Sequence, residues 1–197
     1  IVNDVPVVIV PAANHAPAVN AGPDQTITLP AGANLLGTAS DDGLPTPAVR
    51  YSNIFGHGQD PANPYCGVVA KFAEALFAGR PPVIHGDGNQ TRDFTFIEDA
   101  VSATILAATS DRATGEVFNV GTGVETRVNE LAALLIRLIG VNVETEHTDR
   151  RDVDNIRRRV VNIEKARRAL RWVPEITLEA GLRRTVEWQR GRPPAAP

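Results

Sequence analysis

The first 49 residues contain no lysine or arginine, and no stretch before residue 66 repeats apolar side chains at helical spacing. A chain that opens this way begins with short strands and turns, not with an amphipathic helix. The runs VPVVIV and QTITLP are β-branched and bounded by turn formers, which predicts strands. Asp41-Asp42-Gly43-Leu44-Pro45-Thr46-Pro47 is a turn or linker signal. The only acids in this stretch are Asp4, Asp24, Asp41 and Asp42.

The pattern changes after residue 49. Val69, Phe72, Ala73, Leu76 and Phe77 recur at helical spacing within Val68–Ala78, with Gly79 as a stop. Pro82–Gly86 predicts a short strand, and Phe94 and Phe96 alternate with polar neighbours. Ala100–Ala108 predicts a helix, Val117–Val120 a buried strand, and Asn129–Ile139 an amphipathic helix closed by Gly140. Thr177 is a candidate N-cap for a last helix over Leu178–Trp188. Alternating strands and helices predict an α/β or α+β body over 49–190. That body follows a β-rich or irregular leader over 1–48 and precedes a disordered tail over 191–197.

Bulk properties exclude several classes. The formal net charge of −3 in 197 residues argues against a dedicated nucleic-acid binder. The arginines at 157–159, 167, 168 and 171 lie among acids without interleaved aromatics, so they read as a solvated face. One cysteine, Cys66, excludes an internal disulfide framework and a thiolate zinc site. No apolar run approaches the ~20 residues needed to span a bilayer, and no basic lead precedes Val5–Val10. The expectation is a cytoplasmic body with no membrane and no metal.

The chemistry gathers around HGDGNQTRDFTF, His85–Phe96. If a strand and the Phe94/Phe96 segment flank a tight Gly-Asp-Gly loop, Arg92 leaves it beside a concave surface. A guanidinium forks onto two phosphate oxygens, which lysine cannot do. Asn53 offers a neutral donor to the same kind of oxygen. Arg151 and Asp154, spaced R-x-x-D, offer a second phosphate contact and an acceptor for sugar hydroxyls. His85 presents a flat face to a base. Together these describe a nucleotide-diphosphate pocket. The competing readings are an Arg92 paired with Asp87, Asp93 or Asp99, a turn-forming Asn53 and a structural His85.

RYSNIFG (50–56), HGDGNQTRDFTFIEDA (85–100), VFNVGTG (117–123), NIEKA (162–166) and LRWVP (170–174) occur in that order. The set resembles the C-terminal, substrate-binding half of the extended short-chain dehydrogenase/reductases. Within that family it is most similar to the UDP-glucose 4-epimerase and dTDP-glucose 4,6-dehydratase group. The resemblance implies a UDP- or dTDP-sugar ligand, with Asn53 and Arg92 at its diphosphate and His85 beside the base. It places Arg151 and Asp154 near ribose and phosphate, and Val68 and Phe72 in the base pocket. It also implies NAD as cofactor.

The departures from that family bear on activity. Its members hold NAD with a G-x-x-G-x-x-G loop opening a helix, and no such triplet occurs in residues 1–49. Its Tyr-x-x-x-Lys pair is also missing, since Phe55 stands four residues after Tyr51 and Val69 four after Tyr65. The expectation is a nucleotide-sugar-binding lobe that is inactive alone, with catalytic residues and a Rossmann domain supplied by a partner. An exposed apolar face and a homo-oligomer follow from that expectation. A second reading starts from Asn14–Pro47, which resembles the opening strands of a PKD-type immunoglobulin-like repeat and suggests an extracellular interaction module. A third is a recombined chimera with no evolved function.

Overall fold

A computed structural model describes residues 46–63, 66–150 and 156–191, and the backbone alone at 18–20 and 38–40. The expectations for Arg151, Asp154 and the 191–197 tail beyond residue 191 therefore lie outside the described residues, as does most of the 1–48 leader. In chain order the elements are β1 (Ala18–Asn20), β2 (Thr38–Ser40), β3 (Ala48–Tyr51), β4 (Asn53–Phe55), α1 (Val68–Phe77), β5 (Val83–His85), β6 (Thr91–Arg92), β7 (Phe94–Phe96) and α2 (Ile97–Thr109). They continue as β8 (Val117–Val120), β9 (Thr126–Arg127), α3 (Val128–Ile139), β10 (Glu146–Thr148), α4 (Glu164–Leu170) and α5 (Leu178–Arg190).

The strands pair two by two. β3 runs parallel to β8, β4 to β7 and β5 to β10. β6 lies antiparallel to β9, and β1 to β2. Helices and small, mostly parallel pairs make a mixed α/β body, as the alternating pattern predicts. The β1–β2 ladder is the one pairing described in the segment that resembles a PKD repeat.

Helix spacing matches burial closely. In α3 the residues Val128, Leu131, Ala132 and Leu135 are buried, at i, i+3, i+4 and i+7. Gly140 then turns left-handed at φ 80°, and its N–H closes the last turn on Ile136 O at 3.0 Å. In α1 the same spacing buries Val69, Phe72, Ala73 and Leu76. These faces meet α5, Phe55, Phe94 and Phe96 in one core. A second core gathers the alanines of α2 with Phe118, Val120, Leu170 and Trp172. Each fully buried Leu or Phe contributes about 1.5–3 kcal/mol.

Two elements differ from expectation. β7 is buried at all three positions, including Thr95 at 0% exposure, instead of alternating. Both α2 and α5 pack on it while β4 pairs along its edge, so no side of the strand meets water. Gly181 makes this approach possible, because a Cβ there would lie 2.8 Å from both Phe55 Cζ and Phe96 Cδ2. Helix α2 also starts three residues earlier than its apolar pattern suggests, directly after β7.

One edge of β3 is open. Ala48 N and Ser52 N donate to Glu116 O and Val120 O, at 2.9 and 2.8 Å, on the β8 side. Strand alternation turns Val49 and Tyr51 the other way, where no strand pairs among the described residues. Tyr51 is 48% exposed, and its hydroxyl lies 2.6 Å from Thr104 Oγ1 of α2. Among the described residues no helix is long and apolar enough to cross a membrane.

Candidate functional site

The Gly-Asp-Gly loop forms as its residue types demand. Gly86 and Gly88 take φ of 80° and 69°, where a side chain would be strained. Gly88 is doubly constrained, since a Cβ would fall 1.8 Å from Asn129 Oδ1. Asn129 holds the loop through its N–H to Gly88 O and its Nδ2 to Asp87 O, both 3.0 Å. Gln90 Nε2 donates to His85 O at 2.9 Å, closing the loop from the other side. Asp87 points out and takes both Nη atoms of Arg157 at 2.7 Å, plus Asn89 N at 3.0 Å. The Arg157 guanidinium, then the Asn89 N–H, hold the Asp87 carboxyl well below the usual carboxylate range. Arg158 does the same, less strongly, for Glu125.

The tripeptide Thr91-Arg92-Asp93 follows, and it ties distant segments together. Thr91 N donates to Arg157 O at 2.9 Å and Thr91 O accepts from Arg159 N at 3.2 Å. Its hydroxyl donates to Glu125 Oε2 at 3.0 Å. Arg92 is 7% exposed, and its Nη1 donates to Thr91 O and Ile156 O at 2.8 and 2.9 Å. The guanidinium thus anchors the chain at Ile156, immediately after Arg151–Asn155. Among the described residues, Asp87 accepts from Arg157 and Asn89, Asp93 from Thr122, Gly123 and Val161, and Asp99 from Glu175 and Ile176.

Asp93 is fully buried. Its Oδ1 accepts from Thr122 N and Thr122 Oγ1 at 2.8 and 2.5 Å, and its Oδ2 from Gly123 N and Val161 N at 2.9 and 3.4 Å. Gly121 leaves room for it: a Cβ there would sit 2.7 Å from Asp93 Oδ2 and 2.1 Å from Val161 Cγ2. The Asp93 carbonyl accepts from Ser52 Oγ at 2.6 Å and Asn53 N at 3.0 Å. Asn53 opens β4, half-buried, and its Oδ1 is buried with no partner among the described residues.

Asn53 and Arg92 are therefore brought together through Asp93, and His85 stands at the start of the same loop. The His85 ring is half-buried, with Nδ1 3.3 Å from Asp149 O. Val68 begins α1 and packs against the core, while Phe72 (3% exposed) lies within it. Sequence reasoning missed Asp93, Thr122 and Gly123 as a unit. Their signal was present in R-D-F followed by N-V-G-T-G, an acid and a glycine turn of complementary shape.

The Gly121–Gly123 turn follows a parallel strand, the usual place for a phosphate cradle. Here its N–H groups at Thr122 and Gly123 are spent on Asp93, so it does not fit the pyrophosphate of NAD. No cluster of His, Cys, Asp and Glu among the described residues is arranged to hold a metal. Two surface clefts flank α2. One, of about 350 Å³, is lined by Asp99, Ser102, Trp172 and neighbours. The other, of about 240 Å³, is lined by His57, Val101, Ile105 and neighbours. Neither is lined by a residue nominated from sequence.

Residues 31–121 match the model of the NAD dependent epimerase/dehydratase family. That match begins inside the segment assigned above to the leader. A putative UDP-glucose 4-epimerase of Methanocaldococcus jannaschii is 37% identical over 148 residues, covering 75% of this chain and 47% of that protein. The UDP-glucose 4-epimerase of Mycolicibacterium smegmatis is 40% identical, covering 72% of this chain and 44% of its own length. Among solved structures, a Thermotoga maritima UDP-glucose 4-epimerase with UDP-glucose superposes with a TM-score of 0.68 at 39% identity, over 72% of this chain and 45% of that one. The chain thus spans about half the length of the relatives it matches. On these sequence and structural matches, about three quarters of the chain is similar to members of the NAD-dependent epimerase/dehydratase family.

Proposed function

We propose that residues 49–190 are a nucleotide-sugar-binding lobe that takes a UDP- or dTDP-sugar at Asn53, Arg92 and His85, with Arg151 and Asp154 contributing from the 151–155 segment. The observation that carries this reading is Asn53. A buried amide oxygen without a partner costs about 1–3 kcal/mol, and nothing among the described residues repays it. A side chain kept at that cost, half-buried beside the Arg92 segment, has a use outside the internal hydrogen bonds. Its orphan Oδ1 calls for a donor such as a ligand hydroxyl, its N–H₂ end suits a phosphate oxygen, and the neighbouring guanidinium suits the diphosphate charge. The presence of UDP-glucose in the similar Thermotoga maritima epimerase supports the same class of ligand.

In this reading residues 49–190 bind and orient, and they do not turn the sugar over by themselves. Tyr51 and Tyr65 both lack a lysine four residues on, so this stretch holds no tyrosine activated as a general base. The hydride acceptor NAD and the proton-transfer groups come from outside residues 49–190. The test is calorimetry of the full chain with UDP-glucose, repeated on Arg92→Ala and on Asn53→Ala, which removes only the amide. Heat from the unmutated chain, weakened about tenfold in either variant, corresponds to loss of one charge-assisted contact. Equal heats from all three, or none from any, discard the site.

A further inference from the structure

We infer that Asp93 is a positioning residue for this site, holding Asn53 and Arg92 in register through hydrogen bonds that no ligand touches. The inference rests on the proposed sugar-nucleotide reading and adds a residue to it. Asp93 is at 0% exposure and meets four donors, all neutral, drawn from Thr122, Gly123 and Val161. A carboxylate is costly to bury, and an apolar side chain would fill the space more cheaply if filling were the task. The surroundings are also shaped to admit it, because Gly121 has no Cβ where one would lie 2.7 Å from Oδ2.

What distinguishes Asp93 from an ordinary buried acid is where its other polar atoms go. Its carbonyl takes Ser52 Oγ and Asn53 N, so the backbone that carries the Asn53 amide hangs on Asp93. Its covalent neighbour is Arg92, whose guanidinium reaches Ile156 O. One residue therefore joins β4, the 121–123 turn, the chain at Val161 and the arginine. If the carboxylate lets go of the turn, Asn53 and Arg92 shift together.

The experiment uses Asp93→Asn, which keeps the shape but turns an N–H₂ against N–H donors. UDP-glucose binding to the full chain is measured by calorimetry for the unmutated protein, Asp93→Asn, Asn53→Ala and the double variant. Residue-by-residue amide exchange is measured without ligand. The expected result is binding about tenfold weaker in Asp93→Asn. The double variant then binds within about twofold of Asp93→Asn, because two changes acting on one contact do not add. In the ligand-free protein, Asn53, Thr122, Gly123 and Val161 lose exchange protection while Leu131 and Leu135 in α3 keep theirs.

Binding within about twofold of the unmutated chain, or losses that multiply in the double variant, overturns the inference. So does loss of protection spread evenly through α3, which makes Asp93 a support of the fold alone. If the unmutated chain gives no heat with UDP-glucose, the proposed ligand falls and the exchange data decide alone. Unaltered exchange at Asn53 then overturns the positioning role, and selective loss upholds it.

Discussion

Arg157 grips Asp87 with both Nη atoms at 2.7 Å, one to each carboxylate oxygen, across 70 residues of sequence. The pair fastens the tip of the Gly-Asp-Gly loop to the chain that follows residue 155. Because the folded carboxyl is held below its ordinary value of 3.8, its contribution is complete above that value and fades as pH falls through the lower folded value. Asp87 is therefore expected to titrate well below an ordinary aspartate in carboxyl NMR, and Arg157→Gln to return it toward 3.8. Both groups are half-exposed, so raising salt will weaken the effect. An Asp87 that titrates normally in the unmutated protein contradicts the pairing.

Gly181→Ala tests the packing of α5 on the strand pair beneath it. The new methyl would meet two phenylalanine rings at 2.8 Å, both of them buried in the core. The expected cost is about 1–3 kcal/mol, read as a lower urea midpoint at unchanged slope. A neutral result means the helix can lift off the rings.

Asp99 makes a comparable prediction on the far side of α2. Its two oxygens accept from Glu175 N and Ile176 N, each at 3.0 Å, from a position 4% exposed. Asp99→Ala leaves both N–H groups without their acceptor and is expected to cost about 1–3 kcal/mol. Amide exchange should speed up first at Glu175 and Ile176, ahead of the core.

The apolar face beside β3 predicts association. Val101 and Ile105 are 48% and 56% exposed, one helical turn apart, next to a strand edge that no described strand pairs with. Ile105→Glu is expected to leave stability within about 0.5 kcal/mol and to reduce self-association in sedimentation. An unmutated chain that sediments as a single monomeric species rules the association out.

Much of this body was legible in the sequence, for identifiable reasons. α1 and α3 announced themselves because their buried residues keep strict helical spacing and a glycine follows each. The Gly-Asp-Gly loop was legible because only glycine sits easily at φ near 70–80°. β7 was misjudged as alternating because Thr95 is polar, and only its position between two helices and β4 explains its burial. Arg92 was legible as a cation beside the glycine loop, but its burial and its grip on Ile156 O were not, since backbone carbonyls leave no trace in residue types. Asp93 was named only as a partner for Arg92, and its grip on the 121–123 turn was missed for a related reason. Its partners lie 29 to 68 residues away and are mostly main-chain N–H groups.

The bonds made by Thr91, Arg92 and Asp93 have a kinetic consequence. Apart from the Arg92 Nη1–Thr91 O bond, each closes a long loop, and loop closure must precede the contact that rewards it. These ties are expected to form late in folding. Loosening them will speed unfolding far more than it slows refolding. A stopped-flow comparison of Asp93→Asn with Leu131→Ala will separate this late knot from the early-forming helix.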